Sequence, residues 1–251
     1  MNEDNELLRK RFVELARASD EGLYYSFSDF LGLMELSVLK DALANSGLKY
    51  TLFGGAQGCE RVIARFGDPE AIGYEQDFPI VCIKAEPLSM KFADKLSHRD
   101  FLGSLMNLGI ERDTLGDIPI VDNIGYIFAK DTIAPFIIDS LTRIKHTDVK
   151  LSVVSELPEG ELYRTEKRAV QLATERTDAL ISKVYNLSRD DGQALIKKSL
   201  VFINGRLVTS NSKLPRDGDV ISVRGHGRFV YHGITGTSKK GKLNVCVEVY
   251  L

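Results

Sequence analysis

The chain is poor in the groups that staple small folds or carry redox and metal chemistry. Its three cysteines, Cys59, Cys82 and Cys246, are odd in number and show no C-x-x-C spacing. They support neither a disulfide framework nor a zinc site, and buried reduced thiols are expected. The four histidines (98, 146, 226, 232) are scattered, with no H-x-x-x-H pair and no His/carboxylate pattern for a metal. Apolar runs such as Phe136-Ile137-Ile138 are strand-sized, far below the ~20 residues that span a bilayer. The opening MNEDNELLRKRF is charged throughout and has no apolar signal core. No Ser or Cys sits in a nucleophile elbow, and no cofactor motif is present. The expectation is a cytoplasmic protein with no membrane association, no cofactor and no catalytic residues.

Two motifs invite enzymatic readings that their spacing refuses. The glycine-rich stretch Gly54, Gly55, Gly58 lacks the Lys and Ser/Thr of a P-loop and does not fit G-x-G-x-x-G, so a tight turn is expected. His98-Arg99-Asp100 resembles a kinase catalytic loop, but the position five after the Asp is Leu105 rather than Asn, and no nucleotide loop or D-F-G accompanies it. A structural role for Asp100 is expected; Arg99 and Arg112 border the same helix and either orient the Gly109 and Gly116 turns or serve as secondary RNA contacts.

What is present is a hidden charge asymmetry. The net charge of −2 conceals a segment, from Arg176 onward, with thirteen Lys/Arg against six Asp/Glu. The preceding residues hold twenty Lys/Arg against twenty-nine acids. A basic module behind an acidic body points to a polyanion partner, with nucleic acid first.

With 251 residues the chain can form two or three small domains. Residues 4–19 read as an amphipathic helix, 31–45 as a second, and 49–68 as two strands around the glycine turn. The order then becomes strand (78–84), helix (94–108), hairpin (117–121 and 124–129 across Asp122-Asn123), helix (131–144) and strand (149–155). This β-α-β-β-α-β succession is that of ferredoxin-like and RRM-like domains. Tyr126 and Phe128, two apart on one strand, share a face that stacks on RNA bases in an RRM or packs internally. Residues 156–175, with Pro158 and Gly160, read as a linker leading into a connecting helix.

In the basic segment, a short helix over 178–185 precedes a second that starts at Ser188, with Asp191 three residues on as in a capping box. Its N–H groups are a potential phosphate site. Lys197 and Lys198 suit its C-terminus. Asn204-Gly205 is a strong hairpin signal, and Asp217-Gly218 marks another turn.

The ordered landmarks Arg176-x-Asp178, Ser188-Arg189, Ile196, Val201, Asn204-Gly205 and Gly218-Asp219-Val220-Ile221 resemble the S-four-type RNA-binding domain, named after a ribosomal small-subunit protein. The resemblance implies RNA contacts from Arg176, Lys183, Ser188, Arg189, Gln193, Lys197, Lys198, Asn204, Gly205, Arg206, Lys213, Arg224 and Arg228. Two departures stand out: the family usually has Leu at Thr177 and Gly at Ser199. With FGGAQGCER (53–61), SHRDFLGSLMNLGIERDTLGDI (97–118), VRGHGRF (223–229) and GTSKKGKL (236–243), the whole chain resembles the YlmH family.

That resemblance implies an α+β protein with four parts. Residues 1–75 would form an α/β N-terminal region and 76–156 an RRM-like middle domain. Residues 157–175 would be linker and connecting helix, and 176–251 an S-four-type domain ending in a β-hairpin. It implies a non-enzymatic protein that binds ribosomal RNA of the large subunit, with peptidyl-tRNA a further partner, in quality control or rescue after stalled translation. The free protein is expected to be a monomer. The alternatives are an RNA-modifying enzyme of pseudouridine synthase or methyltransferase type, or a cell-division-linked adaptor. The first 160 residues lack an S-adenosylmethionine loop and a synthase Asp motif.

Overall fold

Why the chain folds as it does is clearest from how each sheet uses its two faces. The computed structural model describes residues 3–157 and 162–251, so Pro158 and Gly160 of the expected linker lie outside it. Two compact units result, Met1–Leu162 and Tyr163–Leu251.

The first unit opens with α1 (Glu3–Gly22), whose Phe12 and Ala16 are buried. It continues through β1 (Ser26–Phe27), α2 (Leu33–Ala42), β2 (Tyr50–Phe53), β3 (Ile63–Phe66) and α3 (Pro69–Ile72). The three strands form an antiparallel sheet in the order β1-β3-β2. Phe12, Leu36, Leu39 and Phe66 make its core. Asp68 accepts from Glu70 N at the start of α3, and Gly73 ends that helix at φ +85°.

A second sheet follows: β4 (Ile80–Pro87), α4 (His98–Asn107), β5 (Ile120–Val121), β6 (Ile124–Lys130), α5 (Ala134–Ser140), β7 (Arg143–Ile144) and β8 (Thr147–Val154). Its order is β5-β6-β4-β8-β7, with every neighbouring pair antiparallel. The β5–β6 turn places Asp122 at φ +50° and Asn123 at φ +67°, as a two-residue I′ turn requires. The helix expected over 131–144 stops at Ser140, because Arg143 and Ile144 instead pair with β8.

Alternation along β4 and β6 sends Ile83, Ala85, Ile127 and Ala129 toward one core, with Phe101 and Leu105 of α4 and Ile137 of α5. Cys82, Tyr126 and Phe128 point the other way, onto Phe30 and Ile63 of the N-terminal region. The glycine turn comes so close that a Cβ on Gly55 would lie 2.3 Å from Phe128 Cδ1, and Gly55 itself has φ +102°. These glycines thus permit close packing. Phe128 is 1% exposed and Tyr126 7%. The RNA-stacking alternative for this aromatic pair is therefore overturned: the sheet face is covered, and burying Phe128 stabilises by about 2 kcal/mol.

The second unit comprises β9 (Thr165–Leu172), α6 (Thr177–Val184), α7 (Arg189–Lys197), β10 (Val201–Ile203), β11 (Arg206–Leu207), β12 (Val220–Val223), β13 (Gly227–Thr237) and β14 (Leu243–Tyr250). One antiparallel sheet orders them β11-β10-β12-β13-β14-β9. Leu180, Ile181 and Ile196 share a buried core with Val201, Ile221, Phe229, Val245 and Val247.

Residues 165–172 correct the expected connecting helix. TEKRAVQL is rich in helix formers, yet it pairs along its length with β14, from Tyr250↔Thr165 to Leu243↔Leu172. Edge pairing outweighs propensity here, and the charged outer residues are those an edge strand tolerates.

Candidate nucleic-acid interface

The helix pair α6–α7 is assembled from three local devices. The first is Gly192, which is buried in α7: a Cβ there would lie 2.1 Å from Ser182 Oγ and 2.7 Å from the Asp178 carbonyl oxygen. The helices approach more closely than any larger residue allows. The second is a pair of left-handed caps. Asn186 (φ +54°) and Ser199 (φ +57°) follow the last turns. Leu187 N donates to Ser182 O and Leu200 N to Leu195 O, closing a Schellman motif at each end. Ser199 thus takes a left-handed conformation that glycine adopts at less cost.

The third device is Arg176-Thr177-Asp178. Asp178 is fully buried. It accepts from Arg176 Nε at 3.0 Å and Nη2 at 2.9 Å, and from Gln193 Nε2 of α7 at 3.3 Å. Thr177 donates through both N (2.9 Å) and Oγ1 (2.6 Å) to Lys213 O. Thr177 therefore fastens the start of α6 to the 213 loop. Arg176 and Gln193, expected as RNA contacts, are struts in this arrangement, although a third of the Arg176 side chain remains exposed.

The other expected residues divide into two groups. Lys183, Arg189, Lys197, Lys198 and Lys213 are exposed, and none has an ion-pair partner among the described residues. The i, i+4, i+8 spacing sets Arg189, Gln193 and Lys197 along one stripe of α7. Lys197 and Lys198 also sit at its C-terminus, where cations are favoured. The remainder are engaged within the fold. Asn204 donates to Asp219 Oδ1 (2.8 Å) and accepts from Val220 N (2.9 Å), with Asn204 and Gly205 at φ +49° and +71° in the β10–β11 turn. The Arg224 guanidinium lies 5.5 Å from the Phe202 ring. That of Arg228 lies 4.1 Å from Tyr250. Arg206 is exposed beside the same turn.

The N-terminus of α7 does not match the expected phosphate site. Ser188 Oγ accepts from Asp191 N at 3.1 Å and donates to Asp191 Oδ2 at 2.6 Å. Asp190 and Asp191 place two carboxylates in the first turn. The helix dipole is already answered by acids, which repel a phosphate.

In the first unit Arg112 is likewise committed, donating to the carbonyls of Leu115 (2.6 Å) and Gly116 (3.2 Å). Arg61 donates to the carbonyls of Leu115, Phe30 and Arg112. Burial, with the positive Arg61 nearby, brings the Arg112 guanidinium down to about 10. Arg61 and Arg112 line a cavity of about 270 Å³ together with Asp29, Glu35 and Asp113, so acids match its cations. Burial and Arg112 also hold His98 below its ordinary pKa. Asp100 accepts from Ser97 N (2.8 Å) at the start of α4 and pairs with Lys145 (3.0 Å). Its hydrogen bonds to Ser97 and Lys145 pull the carboxyl to about 2. Arg99 is exposed on α4. Among the described residues, no three His, Cys, Asp or Glu converge as a metal site, and no helix is long and apolar enough to cross a membrane.

The expected set omits Lys239, Lys240 and Lys242 at the β13–β14 turn. Their signal in the sequence is the absence of any Asp or Glu from 220 to 247.

Residues 74–156 match the family model described as a putative RNA-binding domain in YlmH. The chain is also 27% identical over 243 residues to a Bacillus subtilis (strain 168) protein named ribosome-associated protein quality control protein P2. That similarity covers 94% of this chain and 91% of the relative. Among solved structures, the cell division protein ylmH from Streptococcus pneumoniae aligns with 61% of this chain and 93% of its own at 21% identity, with a TM-score of 0.49.

Proposed function

We propose that this is an RNA-binding protein that acts on the ribosome by binding rather than by catalysis, as a member of the YlmH family. The observation that carries the reading is the outer surface of α6–α7, where Lys183, Arg189, Lys197 and Lys198 stand exposed without ion-pair partners among the described residues. Cations left unneutralised by the fold are available to phosphates, and counterion release then drives binding. In the proposal this helix pair with its sheet is an S-four-type module. The 76–156 segment is an RRM-like domain, a reading supported by its strand order and by two helices on one face. Its covered aromatic face assigns it positioning rather than base stacking.

The similarity to a ribosome-associated quality control protein over nearly the full chain supports the ribosome as the place of action. The target in this reading is ribosomal RNA of the large subunit, with peptidyl-tRNA held or recognised after stalled translation. The decisive experiment is cosedimentation of the double variant Arg189→Glu/Lys197→Glu with ribosomal subunits. Association should collapse while the melting temperature is retained, and parental binding should fall steeply with salt. Unchanged cosedimentation of the double variant would remove α6–α7 as the contact surface.

A further inference from the structure

We propose that the β13–β14 hairpin tip, Ser238–Lys242, is a second phosphate-binding site that extends the RNA footprint beyond α6–α7. The inference rests on the RNA-binding reading above and adds a site to it. Four observations carry it.

Lys239, Lys240 and Lys242 are all exposed, and none has an ion-pair partner among the described residues. No Asp or Glu occurs between Asp219 and Glu248, so β13, the tip and nearly all of β14 are free of carboxylates. Lys84 pairs with Glu86 and Lys130 with Asp29, both at 2.7 Å, and Arg168 with Glu166 at 2.6 Å. The tip lysines, like the exposed cations of α6–α7, have no such carboxylate among the described residues.

The turn is also preset. Ser238 N donates to Lys242 O at 2.7 Å, Gly241 N to Ser238 O at 2.9 Å, and Lys242 N to Ser238 Oγ at 3.0 Å. Gly241 has φ +74°. Three lysines held by a closed turn lose less backbone entropy on binding than the same lysines on a flexible tail.

Topology sets the tip at the Arg176 end of α6, away from the Lys183 end, where Tyr185 packs on Phe229 near the start of β13. Leu243, the residue after Lys242, pairs with Leu172 of β9. Arg176 follows Leu172 by four residues, a reach of at most ~14 Å. Thr177 is bonded to Lys213 O. The tip, Arg176 and Lys213 therefore gather at one end of the second unit's sheet. Three exposed ammonium groups on a hairpin whose own strands carry no acid from 220 to 247 suit a run of phosphodiesters, contacted as point charges without base selectivity.

The test measures RNA affinity across a salt series, using a 20-base-pair RNA duplex and purified ribosomal RNA as probes. The full-length parent is compared with K239A/K240A/K242A, with R189E/K197E and with the combined variant. Each phosphate contact contributes roughly 0.7–0.9 to the slope of log K against log salt, so the triple variant's slope should be shallower by about 2. Its melting temperature should hold, since the turn's bonds use backbone groups and Ser238. Losses in log affinity from tip and helix pair should add in the combined variant.

A triple variant with the parental slope and affinity overturns the tip site alone. A helix-pair variant that binds normally, beside a weakened tip variant, overturns the α6–α7 reading and leaves the tip standing. A parent that binds neither probe overturns both. Lysine-dependent binding to phosphatidylglycerol vesicles, with no lysine dependence on RNA, assigns the tip to a lipid surface and overturns the proposal.

Discussion

The two units of this protein spend their cations in opposite ways. In the first, Arg61 and Arg112 turn inward onto carbonyls, while Lys130 and Lys145 meet Asp29 and Asp100. In the second, Lys183, Arg189, Lys197, Lys198 and the three hairpin lysines face outward with no carboxylate bound to them among the described residues. The contrast extends to aromatics: Tyr126 and Phe128 sit in the segment that matches the model described as a putative RNA-binding domain in YlmH, yet packing consumes them. A cation already bonded within the fold mainly stabilises it, whereas one left in solvent is available for long-range attraction to a polyanion. Residue type alone does not separate these roles.

The contrast can be broken most forcefully at Arg176, an expected contact that is both partly exposed and bonded to a buried carboxylate. Arg176→Ala leaves the buried Asp178 carboxylate without its bidentate partner. A loss of about 3 kcal/mol in unfolding free energy is expected, measured by denaturant titration. A variant as stable as the parent would make Arg176 a surface cation like Lys183. The next effect should come from Arg61→Ala, which strips hydrogen bonds from three carbonyls and costs about 2 kcal/mol. RNA affinity of the refolded variant should remain parental, and a fall matching the R189E/K197E loss would dissolve the inward–outward division.

A smaller, opposite effect is expected from Ser199→Gly. Removing Cβ from the left-handed cap should stabilise the second unit by up to ~1 kcal/mol, read as a raised melting temperature. Smallest is Asp100→Asn. The Asp100 pKa is depressed to about 2 in the fold, so its contribution is present above the unfolded carboxylate range and is lost as pH falls toward 2. Variant and parent should therefore differ slightly in melting temperature at pH 7 and converge near pH 2. A difference that persists undiminished at low pH would assign the effect to packing instead of charge.

Much of the fold was readable from local chemistry. Asp122-Asn123 and Asn204-Gly205 are short-range I′ turn signals, and both occur as such with positive φ. The short apolar runs in FPIVCIK (78–84) and at 124–129 marked strands because a run of that length is a local property of the sequence. The strand at 165–172 escaped because its residues favour helix, and its partner, β14, lies more than seventy residues away. The site was half legible. The sequence contained the cations, but not which of them the fold would occupy. Arg112 reads like Arg189 in one dimension, and only the carbonyls of Leu115 and Gly116 distinguish them.

The sequence by itself determined the charge asymmetry, the helix and turn signals, and the absence of a clustered metal or nucleophile motif. These depend on composition and on neighbours within a few positions. Tertiary structure alone decided that the glycine turn closes over Phe128, that Gly192 brings α6 onto α7, and which arginines remain in solvent. Each of those outcomes depends on a partner distant in sequence, and a hydrogen bond or a close contact exists only once both sides are placed.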